Sequence, residues 1–64
     1  MSAGEMIDFK NGWSIRIHDV RDEQVLYQSW PPGVERQSFI DRLWRMSTAD
    51  FESRVAEERK KEAA

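Results

Sequence analysis

The chain has 64 residues with a formal net charge of −2, and 39% of them are hydrophobic, including three tryptophans and three phenylalanines. This length allows one domain with a small core, and the aromatic content favours a folded domain over a disordered tail. The lack of cysteine excludes a disulfide framework and a thiolate metal site, and the near-neutral charge argues against a basic nucleic-acid footprint.

A β-hairpin is predicted around Asn11-Gly12, because apolar and polar residues alternate on both sides of a dipeptide that is typical of hairpin turns. A two-residue loop would divide the apolar residues between two faces. A three-residue loop with a left-handed Gly12 instead pairs Phe9 with Trp13 and keeps them together. We therefore predict strands over about 6–9 and 13–20. One face then carries Ile7, Phe9, Trp13, Ile15 and Ile17, and the other carries Asp8, Ser14, Arg16 and His18.

A third strand is predicted over about 24–30, after a polar turn that contains no glycine. Its phase is ambiguous, since its apolar residues are divided between both faces. The register that we favour pairs Val20 with Val25, and it places Tyr27 on the outer face, opposite the histidine of the second strand. The same register brings two further residues into the core, Leu26 and Trp30.

A helix is predicted over 34–46, because the apolar residues change from a period of two to about 3.6 after the Pro31-Pro32-Gly33 segment, where proline ends the sheet. Its apolar stripe consists of Phe39, Ile40, Leu43 and Trp44. Ser47 with Asp50 resembles a capping box, which predicts a break and a second helix over 48–61. A single helix over 34–61 remains an alternative.

The predicted fold class is α+β: a three-stranded antiparallel β-meander followed by two C-terminal helices packed on one sheet face, in the order β-β-β-α-α. We expect one domain over 1–64, with a flexible lead-in at 1–5, the sheet within 6–30 and a frayed tail at 62–64. No apolar run approaches the roughly 18 residues that cross a bilayer. The first residues lack the pattern of a signal peptide, so we expect a cytoplasmic protein without membrane contact.

The sequence contains no arrangement of residues that is typical of a catalytic site. His18 is the only histidine, and Ser14 on the same strand would lie roughly 13 Å from it, whereas a nucleophile and its base must lie about 3 Å apart. Metal-ligand spacings and phosphate-binding glycine clusters are both missing. We therefore predict a protein that is not an enzyme, with no catalytic residue, no metal and no cofactor.

The predicted binding surface is the sheet face that the helices leave open. Its candidate partner-binding residues are Ser14, Arg16, His18 and Tyr27, of which tyrosine and arginine are enriched at interfaces. An ordinary amphipathic sheet facing water is the simpler interpretation of the same pattern. The partner would be a host or cellular protein, or a second copy in a homodimer, and the outer edge of strand one or three offers a further docking site.

These observations lead to the hypothesis of an inhibitor or adaptor that blocks a partner's surface. Small proteins of this kind are often encoded by phages or mobile elements to block host machinery, and anti-CRISPR inhibitors are one such class. The alternative is a small nucleic-acid-binding or regulatory protein that uses Arg36, Arg42 and Arg45. Residues 33–64 hold seven basic and seven acidic groups, which ranks nucleic acid below protein as the partner.

Overall fold

The computed structural model of this protein describes residues 1–34 and 42–63. Within these residues the chain forms a four-stranded antiparallel sheet, in the order β1-β2-β3-β4, and one helix. The elements are β1 (Met6–Asp8), β2 (Ser14–Arg21), β3 (Gln24–Trp30), β4 (Trp44–Ser47) and α1 (Thr48–Ala63). The predicted α+β class is therefore confirmed, whereas a fourth strand replaces part of the first predicted helix.

The first hairpin has the predicted register. Ile7 pairs with Ile15, and the Phe9 N–H donates to the Trp13 carbonyl at 2.9 Å. The Gly12 N–H donates to the Phe9 carbonyl at 3.0 Å, and Gly12 has a φ of 98°, which is the left-handed conformation that the three-residue loop requires. Alternation around Asn-Gly thus specified both the turn and the pairing.

A β-bulge in β2 changes the register of β3. Val20 pairs with Val25 as predicted, but the pairing shifts between Ile17 and Asp19 and leaves His18 as the extra residue. Tyr27 therefore pairs with Ile17 and lies on the core face, so its predicted position opposite His18 is wrong.

The same shift moves Trp30 out of the core that we predicted for it. Trp30 pairs with Ser14 on the other face of the sheet, where it is 7% exposed. There the Arg16 guanidinium lies 5.5 Å from the Trp30 ring, and it donates to the Gln28 side-chain oxygen at 2.6 Å. We call this side of the sheet the far face. It carries a separate cluster in which polar side chains pack around Trp30.

The turn between β2 and β3 is a tight one. Arg21 pairs with Gln24, and the two residues between them have left-handed φ angles of 50° for Asp22 and 59° for Glu23. Two consecutive positive φ values characterise a type I′ turn, in which asparagine and glycine are preferred. The backbone is strained at both positions, because residues that carry a Cβ rarely adopt this left-handed conformation.

Replacing one of these residues by glycine is expected to stabilise the protein. Glu23→Gly removes the steric cost of a left-handed side chain, and the expected gain in unfolding free energy is about 0.5–1 kcal/mol. Urea denaturation followed by circular dichroism measures it. The matched control is Glu52→Gly in α1, which should lose about 1 kcal/mol. A loss at both positions would contradict the strain in this turn.

The fourth strand corrects the helix predicted over 34–46. Trp44 pairs with Tyr27 and Met46 pairs with Val25, so these two side chains lie on the core face and Arg45 lies on the far face. Apolar and polar residues alternate in β4, as expected of a strand. The sequence was interpreted as a helix because Leu43 and Trp44 also fit a helical stripe of apolar residues. Residues 35–41 of that prediction, which include Arg36, Phe39 and Ile40, lie outside the described residues.

Helix α1 confirms the second predicted helix. The Asp50 N–H donates to Ser47 Oγ at 3.2 Å, which is the N-cap hydrogen bond expected from the sequence. The helix continues to Ala63, beyond its predicted end, and the Lys10 N–H donates to a Glu62 carboxylate oxygen at 2.7 Å. The predicted helix end at residue 61 is therefore two residues short.

The core lies between α1 and the sheet face that carries Ile17 and Val25, which we call the helix face. Both residues are fully buried, and Phe51 of α1 is 3% exposed. Six partly buried residues pack around these three, namely Ile7, Ile15, Val20, Tyr27, Met46 and Val55. Within the described residues, no helix has the length and apolar sequence of a membrane span.

The helix crosses the sheet diagonally, because its two ends are held at opposite ends of the strands. It begins after Ser47, which pairs with Gln24 beside the β2–β3 turn. Its last turns contact the first hairpin, where the Arg59 guanidinium lies 5.1 Å from the Phe9 ring and donates to the Asp8 carbonyl at 3.2 Å. Residues 4 and 5, within the lead-in predicted at 1–5, continue the β1 pairing through backbone hydrogen bonds with Ile17.

Acid is expected to weaken the contact between α1 and the first hairpin. The pKa of Glu62 is lowered because the Lys10 N–H donates to its carboxylate, with a further hydrogen bond from Arg59. A carboxyl group with a lowered folded pKa stabilises the protein above its unfolded pKa of about 4.3, and this contribution is lost as the pH falls through the folded value. Glu62→Gln should therefore lower the Tm at pH 7 and have no effect below the folded pKa. Glu57→Gln is the control on the same helix, and an equal loss there would contradict the assignment.

Candidate functional site

The four predicted partner-binding residues do not form one surface. Tyr27 lies on the helix face, with its ring centroid 5.3 Å from that of Phe51. Ser14 lies on the far face and is 6% exposed, and Arg16 beside it is half-buried. His18 is exposed at the bulge. The bulge is the reason for this division, because it moves Tyr27 to the face opposite Ser14 and Arg16.

In the described part of the chain, the diagonal course of α1 leaves a groove of about 430 Å³ on the helix face. We call it the aromatic groove. Its apolar lining includes Phe9, Trp13, Ile15, Tyr27, Met46 and Phe51. The rim is formed by charged side chains of α1, namely Arg54, Glu57, Glu58 and Lys61. A smaller groove of about 320 Å³ lies on the other side of the helix, between α1 and β1.

The groove exists because the apolar stripe of α1 is short. Phe51 and Val55 pack on the sheet, but the next position on that side of the helix is Glu58. Opposite this part of the helix the sheet presents Ile15 paired with Ser29, whose small side chain fills little space. The sheet therefore keeps apolar surface that the helix does not cover.

Two exposed tryptophans lie on the same face. Trp13 lines one end of the groove and is 42% exposed. Trp44 is 44% exposed, and its cross-strand pairing with Tyr27 places it on the groove side of β4. The Arg42 guanidinium lies 4.1 Å from the Trp44 ring, within the range of a cation–π interaction. The sequence predicted both tryptophans in the core, and both predictions are wrong.

Charge is unevenly distributed around the groove. The Lys61 ammonium forms an ion pair with Glu58 at 3.4 Å. Within residues 1–34 and 42–63, however, no ion pair contains any of the arginines at or near β4, which are Arg42, Arg45 and Arg54. On the helix face, Arg42 over the Trp44 ring and Arg54 on the groove rim therefore present positive charges that form no ion pair within the described residues.

The arginines of the nucleic-acid hypothesis do not form the predicted patch. Arg42 covers the Trp44 ring, whereas Arg45 pairs with Leu26 and lies on the far face. The helical spacing that placed them one turn apart is replaced by the alternation of a strand, and Arg36 lies outside the described residues. Among the residues that are described, no group of three or more potential ligands is placed to hold a metal ion.

An open groove with an aromatic lining and a charged rim has the composition of a recognition site. Apolar side chains of a partner would be desolvated between the tryptophans, and the rim charges would fix their orientation. Comparison with protein-family models, with curated proteins and with solved structures finds no match to this chain.

Proposed function

We propose that this protein is a non-enzymatic binding module that holds a segment of a host or cellular protein in the aromatic groove. The observation that carries the proposal is the pair of exposed tryptophans, Trp13 and Trp44, on the groove side of the sheet. Tryptophan, tyrosine and arginine dominate binding energy at protein interfaces. A monomeric domain gains nothing in stability from leaving two large aromatic side chains exposed on one face.

The size of the domain favours action by coverage of a surface. Its accessible area is 4774 Å², and a standard interface takes about 800 Å² from each partner, or about a sixth of this protein. A domain that uses so large a share of its surface for one contact can act by covering the surface of its partner. We therefore propose a role as an inhibitor or adaptor, and a phage-encoded inhibitor of a host system, such as an anti-CRISPR protein, is one form of that role.

Selection from a library of random twelve-residue peptides tests the proposal. Peptides selected on the immobilised protein should contain apolar or aromatic residues, and their affinity should fall at least tenfold with Trp13→Ala and with Trp44→Ala. The matched control is Met6→Ala, which truncates a side chain 37% exposed on the far face and should leave affinity unchanged. Equal loss in all three variants, or binding of DNA or RNA in 50 mM salt with no selected peptide, would contradict the proposal.

A further inference from the structure

We infer that the outer edge of β4 receives an extended segment of the partner as a fifth strand, with acidic and apolar residues in alternation. This inference rests on the proposed function and names the kind of partner. Strand addition uses the unpaired backbone of an edge strand for affinity and side-chain pockets for specificity. In the described residues β4 pairs with β3 alone, and the aromatic groove continues from its inner face.

The backbone of β4 determines where the guest strand would bind. Thr48 continues the pairing of β4 with β3, because its N–H donates to the Glu23 carbonyl at 2.8 Å. Backbone groups in an antiparallel pair alternate in direction, so Trp44 and Met46 also direct theirs toward β3. The N–H and C=O of Arg45 therefore point outward, at the centre of the edge, and form one complete hydrogen-bonding site for a guest residue.

The side chains of β4 determine what the guest strand would be. The guest residue opposite Arg45 would lie on the far face beside the guanidinium, where an acidic side chain forms a favourable cross-strand pair. Its two neighbours would lie on the helix face, beside Trp44 and Met46, where apolar side chains extend the aromatic groove. The expected pattern is apolar, acidic, apolar.

Charge complementarity supports an acidic partner. Arg42, Arg45 and Arg54 form no ion pair within the described chain, and Arg42 already lies over the Trp44 ring. A carboxylate on the guest strand would form an ion pair with arginines that have none among the described residues.

A second copy of the chain fits the same edge poorly. Antiparallel pairing of β4 with its own copy about Arg45 places the two Arg45 side chains opposite each other. Like charges in directly opposite positions are destabilising. The Arg45 side chain thus disfavours self-association through an edge that would otherwise permit it.

Capped synthetic peptides test the inference. The probe is acetyl-Glu-Val-Glu-Val-Glu-amide at millimolar concentration, added to the ¹⁵N-labelled protein and followed by NMR. We expect it to shift the Arg45 amide and the Trp44 indole resonances and to slow hydrogen exchange of the Arg45 amide. The Lys-Val-Lys-Val-Lys peptide should bind at least tenfold more weakly. The glutamate peptide with an N-methyl group at its central residue should lose binding to the same extent, since it cannot donate to the Arg45 carbonyl.

Protein variants separate charge recognition from a general electrostatic effect. Arg45→Glu should reverse the preference in favour of the lysine peptide. Lys60→Glu makes the same change in sign on an exposed residue outside the groove lining, and it should leave the preference intact. Dispersed NMR spectra establish that both variants are folded.

The outcomes distinguish this inference from the proposed function. Shifts confined to Trp13 and Ile15, or full binding of the N-methylated peptide, would overturn strand addition and leave the groove as the binding site. Self-association that is lost in Trp44→Ala would overturn the acidic partner in favour of a second copy. Failure of both the library selection and the glutamate peptide would overturn the two proposals together.

Discussion

Phe51→Ala is expected to unfold the protein. Phe51 is 3% exposed and is the buried residue that α1 contributes to the core, where its ring packs on Tyr27. Truncation of a buried phenylalanine costs about 3–5 kcal/mol. A single core in a chain of this length rarely supplies more than about 3–5 kcal/mol in total, so the variant should show no cooperative transition in urea and a poorly dispersed NMR spectrum.

The control for this variant is Trp44→Ala, which removes a larger aromatic side chain that is 44% exposed. It should lose about 1 kcal/mol or less, because most of that ring faces solvent in the free protein. A folded Phe51→Ala variant, or an equal loss in the two variants, would contradict the assignment of Phe51 to the core. A small loss of stability in Trp44→Ala would also show that this variant is folded, so that its loss of peptide binding does not come from unfolding.

Gly12→Ala has the second largest expected effect. Gly12 has a φ of 98°, and a Cβ added to it would lie 2.8 Å from the Cβ of Pro32. Backbone strain and a steric clash therefore act together, and we expect a loss of about 2–3 kcal/mol in unfolding free energy. Chemical denaturation measures this loss.

Gly4→Ala is the matched control, because Gly4 has a similar φ of 87° and nothing lies within 4 Å of its added Cβ. It should lose about 1–2 kcal/mol from the left-handed backbone alone. The difference between the two variants measures the contact between the hairpin turn and Pro32. Adding Pro32→Gly to Gly12→Ala should recover part of the loss, and equal losses at Gly12 and Gly4 would contradict the contact.

The first hairpin could be predicted from the sequence because all of its information is local. Alternation on both sides of Asn11-Gly12 defines the turn, the register and the left-handed glycine. The cap of α1 was equally readable, since Ser47 and Asp50 lie three residues apart. In both cases the stabilising contacts join residues that are neighbours in the chain.

The bulge at His18 and the strand β4 could not be predicted in the same way. No glycine or proline marks the bulge. One extra residue at His18 moves every pairing between β3 and the β2 residues that precede it by one position, whereas Val20 keeps its predicted partner Val25. Trp44 and Met46 form a strand because β3 offers them Tyr27 and Val25 as partners. That pairing is a tertiary contact, and it overrides the helical stripe of the preceding residues.

The groove was missed for the same reason. Its lining comes from the loop of the first hairpin, from β2, β3 and β4, and from α1, so no single stretch of sequence contains it. The exposure of Trp44 depends on its place at the edge of the sheet. One signal was available: Glu58 interrupts the apolar stripe of α1 two turns after Phe51, which indicates that the helix covers only part of the face beneath it.

The contact between the last turns of α1 and the first hairpin determines when this protein can finish folding. Lys10 and Glu62, which share a hydrogen bond, are separated by 52 positions. The hairpin forms from contacts between neighbours in the chain, whereas docking of α1 joins residues far apart in sequence, and closing so long a loop carries an entropic cost. We therefore expect the hairpin to form first and the helix to dock on it in a later step of folding.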